Sequence, residues 1–184
     1  MKKPKRGSSS VSKFCGWGTL ASLVKKAPSV KVGALIATLF ETGCRISELL
    51  QLKADQFEIE DGWIMVYGAP VLKKGKASEA EKRRNIPIPR TEPLVSVMTD
   101  FVEKSKTKKL FSKSRIWAWR KIKETDPGWW PHRLRTERAT QLVVEYGFNV
   151  PKLMRWFNWS TLKTPTSYVR LSVEDLKNSM RKRR

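Results

Sequence analysis

"PHRLRTERAT", residues 131–140, contains the only histidine of the 184-residue chain. Arg135 follows His132 by three positions, so on a helix the two side chains share a face. The preceding "DPGWW" supplies a turn, and Pro131 suits the first position of a helix. One imidazole cannot build a zinc cluster, and Cys15 and Cys44 lie far away in sequence. Two readings remain. In the plain one His132 caps a helix and Arg135 is a surface cation; in the other both side chains serve one anion.

The composition favours an anion. Thirty-eight Lys and Arg against 17 Asp and Glu give a net charge of +21. "KKPKR" (2–6) and "RKRR" (181–184) hold eight cations and no acid, so +13 stays on the body of the chain. At 40% hydrophobic and 10% aromatic, with eight tryptophans, the chain can bury a core, which excludes a disordered polycation. A folded body this basic calls for a polyanion, usually DNA or RNA. An anionic membrane surface would require a basic amphipathic helix or a lipid signal, and neither is present. The first apolar run, "VGALIATLF" (32–40), is too short and too deep for a secretory signal or a membrane span. Two cysteines without framework spacing point to a reducing compartment. The expectation is a soluble, intracellular protein associated with nucleic acid.

Around the opening stretch the chain reads as mostly helical. Residues 1–13 are rich in Lys, Ser and Gly and read as a basic tail. A helical pattern starts at Trp17, breaks at Pro28, resumes at Val30 and stops at Gly43. A short helix follows, with Ile46, Leu49 and Leu50 at helical spacing. "FEIEDGWIMVYG" places β-formers around an Asp-Gly turn, and "RRNIPIP" reads as a strand closed by prolines. Between them "APVLKKGKASEAEKRR" forms a basic arm. Helices return after Pro93 to about Lys104, at 114–124, and through the opening stretch. There Ala139, Leu142, Val143 and Tyr146 make an apolar stripe ending at Gly147. Short helical pieces near 151–156, 161–170 and 173–181 close the chain. The fold class is therefore α+β, mostly helical, with a small antiparallel sheet of about three strands.

Four pieces carry candidate chemistry. In "ETGCRISELLQL" (41–52), Arg45 opens a helix with Glu48 one turn on. The basic arm carries Lys73, Lys74 and Lys76. "HRLR" supplies His132 and Arg135, and "FNWSTLKTPTSYVRLS" (157–172) carries Trp159 and Tyr168. Each alone has a plain reading as a surface ion pair, a solvated loop, a capped helix or an exposed tyrosine.

Together, in this order, they resemble the tyrosine recombinase, or phage integrase, family. "TGCRISELLQL" is similar to that family's first arginine motif, "HRLRTERAT" to its His-x-x-Arg motif, and "NWSTLKTPTSY" to the segment ending in the nucleophile. The resemblance covers roughly residues 17–180 and implies a catalytic-domain fold at 14–180, between basic tails at 1–13 and 181–184. It also implies a site-specific recombinase or integrase that cleaves and rejoins double-stranded DNA through a 3′-phosphotyrosyl intermediate. Self-association on DNA as a dimer or tetramer is expected; metal, ATP or other cofactor is not. The implied roles suit a phosphodiester. Tyr168 attacks phosphorus. Arg45 and Arg135 present planar forks to the non-bridging oxygens. His132 and Trp159 donate ring N–H bonds, with His132 also able to help deprotonate the tyrosine. A lysine of the arm protonates the leaving 5′ oxygen, Lys74 if "KGK" is aligned and Lys73 if "LKKGK" is. Glu48 braces Arg45.

The chain departs from the family pattern at three points. Trp159 stands where the commonest pattern has histidine, so it can donate a hydrogen bond but cannot act as a base. Thr136-Glu137 replaces the usual His-Thr. The stretch from Arg135 to Tyr168 is about one residue long for the family. Only about 16 residues precede the first helix, too few for the DNA-clamping helical domain that members commonly carry at the N-terminus. The expectation is a catalytic domain, minimal or cut from a longer chain. Three other activities are compatible with parts of this reading: DNA relaxation of the type IB topoisomerase kind, a non-cleaving DNA-binding regulator, and a metal-dependent nuclease. The last is disfavoured because Asp55, Glu58, Glu60 and Asp61 crowd one hairpin.

Overall fold

The computed structural model describes residues 14–72, 82–105, 109–162, 165 and 180–181. The helices are α1 (Trp17–Lys25), α2 (Val30–Thr42), α3 (Ile46–Leu49), α4 (Val95–Glu103), α5 (Arg115–Thr125), α6 (Pro131–Val144) and α7 (Val150–Phe157). The strands, in order β1-β2-β3 across one antiparallel sheet, are β1 (Phe57–Glu60), β2 (Trp63–Pro70) and β3 (Arg83–Pro89). The α+β expectation and the order of elements through α7 agree with this architecture; the helical pieces expected near 161–170 and 173–181 lie largely outside the described residues.

α2 is the centre of the core. Every residue from Val32 to Thr42 is buried, and the helix packs against α1, α4, α5 and α6. Apolar side chains all round would bury polar groups only where they find partners. Accordingly Thr38 and Thr42 donate to the carbonyls one turn back, at 2.7 and 2.6 Å. Ser29 caps the start of α2 by accepting from the Val32 N–H, and the helix ends on Gly43 in the left-handed region at φ 60°.

That glycine is required twice over. A side chain there would need an unfavourable φ, and its Cβ would lie 2.5 Å from Cε1 of Phe157. The chain therefore turns tightly out of the core, and α3 starts immediately beyond it.

The sheet packs one face inward through Ile64, Val66, Ile86 and Ile88. Asp61-Gly62 makes the β1–β2 turn with both residues at positive φ, as an Asp-Gly hairpin does. One expectation fails at the end of α6. Ala139 and Leu142 are buried, but Tyr146 lies beyond the helix and is 42% exposed. The helix ends at Val144, and the Phe148 amide bonds back to the Leu142 carbonyl. Tyr146 thus leaves the apolar stripe, and its hydroxyl is placed by Glu92.

Candidate active site

Arg45 sits at the junction between α2 and α3 and is the N-cap of α3. Glu48, one turn on, accepts from the Arg45 backbone N–H at 2.9 Å and from its guanidinium at 2.9 Å. Glu48 is buried while the Arg45 side chain is 44% exposed. The acid thus holds both the backbone and one guanidinium nitrogen of an arginine that stays partly open to solvent.

His132 and Arg135 lie one turn apart on α6. Trp130 is the N-cap of this helix and makes no side-chain cap bond, and Pro131 follows it. His132 therefore does not cap the helix. Nor is Arg135 a surface cation: it is 1% exposed. Its guanidinium donates to the Gly43 carbonyl and, at 3.4 Å, to the Phe157 carbonyl, and it lies 3.8 Å from Glu48. Its Cζ stands 4.6 Å above the Phe157 ring and 5.6 Å from that of Trp159. Trp159, also buried, stacks on Phe157 with ring centroids 4.5 Å apart. The first arginine turn, α6 and the chain after α7 thus converge on one cation.

Arg45, His132 and Arg135 line a single cavity of about 330 Å³, together with Ser47, Arg115, Trp119 and Trp130. Its electrostatics are strongly cationic. Burial holds the His132 pKa below its usual 6.5, and the positive charges of Arg135 and Arg45 push the same way. The imidazole is therefore neutral at neutral pH. Burial also lowers Arg135, to about 10, helped by the nearby Arg84 and opposed by Glu48; it stays charged at neutral pH.

Arg84 is not one of the candidate residues that the four sequence motifs carry. It is 7% exposed on β3 and lies 3.8 Å from Glu48. Its guanidinium donates to the Trp156 carbonyl and, at 3.3 Å, to the Cys44 sulfur. Glu48 is consequently the shared counter-charge of three arginines rather than of Arg45 alone. The signal was present: Arg84 occupies the same strand phase as Ile86 and Ile88, the buried phase of β3.

A second buried cluster, with no motif in the sequence to mark it, is centred on α6. Arg138, fully buried, donates to Glu92 and to Gln141 and lies 3.4 Å from Glu41. Burial holds the Glu41 carboxyl well above the usual range, with Glu92 adding to the shift. Burial pushes Glu92 upward too, but its bonds with Glu41 and Arg138 prevail and hold it low. The Arg138 guanidinium of α6 thus faces two carboxyls, one from α2 and one from the turn before α4.

Lys73, Lys74 and Tyr168 lie outside the described residues. Asp55, Glu58, Glu60 and Asp61 remain around the first hairpin. Among the described residues no three His, Cys, Asp or Glu side chains are grouped to hold a metal ion, and no helix is long and apolar enough to cross a membrane.

The model of the phage integrase family matches residues 19–175. The tyrosine recombinase XerA of Pyrococcus furiosus is 27% identical over 180 residues, covering 86% of this chain. This chain spans 57% of the length of that relative. Among solved structures, the XerH site-specific recombinase bound to its difH substrate superposes with a TM-score of 0.65 at 19% identity, over 92% of this chain and 54% of that one. The catalytic domain of bacteriophage HP1 integrase gives 0.59 at 16% identity, over 92% of this chain and 94% of that one. With the family model matched across most of its length and the fold shared with a catalytic domain, this chain belongs to the phage integrase family of tyrosine recombinases.

Proposed function

We propose that this chain is the catalytic domain of a site-specific DNA recombinase or integrase. The observation that carries this reading is the meeting of Arg45, His132 and Arg135 on one cationic cavity. Its relatives include a recombinase solved with its DNA substrate, and the net charge of +21 suits a double-stranded DNA partner. The Tyr168 oxygen attacks phosphorus, the bond to the 5′ oxygen breaks, and the strand is held as a 3′-phosphotyrosine. Lys74, or Lys73 in the other alignment, gives its proton to the departing 5′ oxygen. Arg45 and Arg135 meet the charge on the non-bridging oxygens, where preorganised donors contribute most. The neutral His132 can take the phenol proton or donate to the phosphate, and Trp159 is assigned a ring N–H donor role. Reversal by a different 5′-hydroxyl rejoins the strands. Assembly as a dimer or tetramer on DNA belongs to the same reading.

The other two tyrosines are poor nucleophiles in their settings. The Tyr67 hydroxyl is bonded to Glu60, which raises its pKa, and burial with the Glu92 carboxylate raises that of Tyr146. Incubation with nicked suicide DNA substrates should give a denaturation-resistant adduct, and Tyr168→Phe should abolish it while leaving DNA binding intact. Mass spectrometry should locate the nucleotide on Tyr168. An adduct on Tyr67 or Tyr146, or cleavage persisting in Tyr168→Phe, overturns the proposal.

A further inference from the structure

The cavity that gathers Arg45, His132 and Arg135 has a second wall with no part in the chemistry above. It is formed by Trp119 of α5 and Trp130 at the head of α6, 49% and 39% exposed. An isolated exposed indole is ordinary. Two on one cationic cavity are not explained by the core. α5 buries Ala118 and Ile122 on an adjoining strip of the helix, and Trp119 beside them is half exposed instead of joining the core. Arg115, Trp119 and Lys123, four apart, share one face of that helix.

Cations bracket the two rings. The Lys123 ammonium lies 5.8 Å from the Trp119 centroid and 4.8 Å from that of Trp130, and donates to the Pro127 carbonyl at 2.6 Å. The Arg133 guanidinium stands 5.8 Å from Trp130 on α6. Flat π surfaces ringed by positive charge fit a nucleotide, with its planar base and anionic link, better than an apolar peptide. Within a paired duplex both faces of a base are covered by its neighbours. A base can reach these rings only after leaving the stack.

We propose that Trp119 and Trp130 form a stacking site for an unpaired base adjoining the phosphate held by Arg45, His132 and Arg135. The proposal rests on the DNA-cleaving reading and gives its site a substrate state: a strand locally unpaired beside the scissile phosphate. The indoles would lower the cost of unpairing there, which a strand about to change partners must meet.

The test uses the full chain and two duplexes of one sequence, one fully paired and one with a short central mismatch carrying 2-aminopurine. The mismatched duplex should bind roughly tenfold more tightly, with 2-aminopurine emission altered by ring contact. Trp119→Ala and Trp130→Ala should each remove that preference and the emission change while affecting paired-duplex affinity far less. Trp119→Phe should retain most of both. Trp63→Ala, an exposed tryptophan of β2, should change neither. Equal binding of the two duplexes, or a preference surviving in both alanine variants, overturns the stacking site. An adduct on suicide DNA without the preference defeats this inference alone; the preference without an adduct defeats the cleavage reading and leaves the stacking site standing.

Discussion

Oε2 of Glu48 lies 3.8 Å from the guanidinium of Arg135, and both side chains are 1% exposed. The same carboxylate bonds Arg45 and faces Arg84. One buried negative charge therefore keeps three positive ones together around the site. Cations this close repel strongly in a medium of low dielectric, so the cluster holds only while the acid is charged.

Glu48→Gln keeps the shape and removes the charge. Stability should fall by about 3–5 kcal/mol, the usual cost of leaving buried charge unpaired. Arg84→Met in that background should recover part of the loss, because it removes one uncompensated cation without touching the cavity. Chemical denaturation of the four proteins as a double-mutant cycle checks both. An unchanged denaturation midpoint for Glu48→Gln would remove Glu48 as the anchor.

Gly43→Ala tests the turn that delivers Arg45 and the carbonyl that receives Arg135. Left-handed backbone costs a non-glycine residue about 1–2 kcal/mol, and the new Cβ would also strike Phe157 at 2.5 Å. The expected loss exceeds the backbone cost alone. Phe157→Leu in the same background should return part of it by vacating the ring edge. Thermal unfolding of the single and double variants decides whether steric contact contributes.

The leaving-oxygen role of the lysine separates binding from cleavage. Lys74→Ala should slow cleavage while DNA affinity changes little. A substrate with a 5′-bridging sulfur departs without protonation and should restore the rate. Rescue seen in Lys73→Ala and absent in Lys74→Ala would transfer the role to Lys73.

His132, the only histidine, gives a single imidazole signal by NMR. Its midpoint should fall below 6.5 in the free protein, because burial and two arginines disfavour the charged ring. Between that lowered value and 6.5 the unfolded chain binds more protons, so this group makes stability fall as the pH drops through the window. Glu41 has the opposite sign: its raised pKa contributes stability at low pH that is lost as pH rises above about 4.5. The difference between the parent and His132→Gln isolates the histidine. A midpoint at or above 6.5 would refute the neutral ring.

The sequence by itself determined the element order through α7, the first hairpin and the stop of α2, because these depend on local signals. Asp61-Gly62 sets a turn by backbone freedom, Gly43 ends α2 for the same reason, and spacing alone puts His132 and Arg135 on one helical face. Only the tertiary structure decided which charges are buried together. Arg84, Glu41, Glu92 and Arg138 come from separate elements, and their pairing depends on how α2, α6 and the sheet pack. Charged side chains in apolar phases, Arg84 on β3 and Glu41 at the end of α2, mark where such pairing must occur, but a one-dimensional pattern does not name the partner. Tyr146 shows the same limit in reverse. Helical spacing placed it in the core, and the return of Phe148 onto Leu142 took it out. The wall of Trp119 and Trp130 likewise exists only because two helices bring the rings to one cavity and leave them partly exposed.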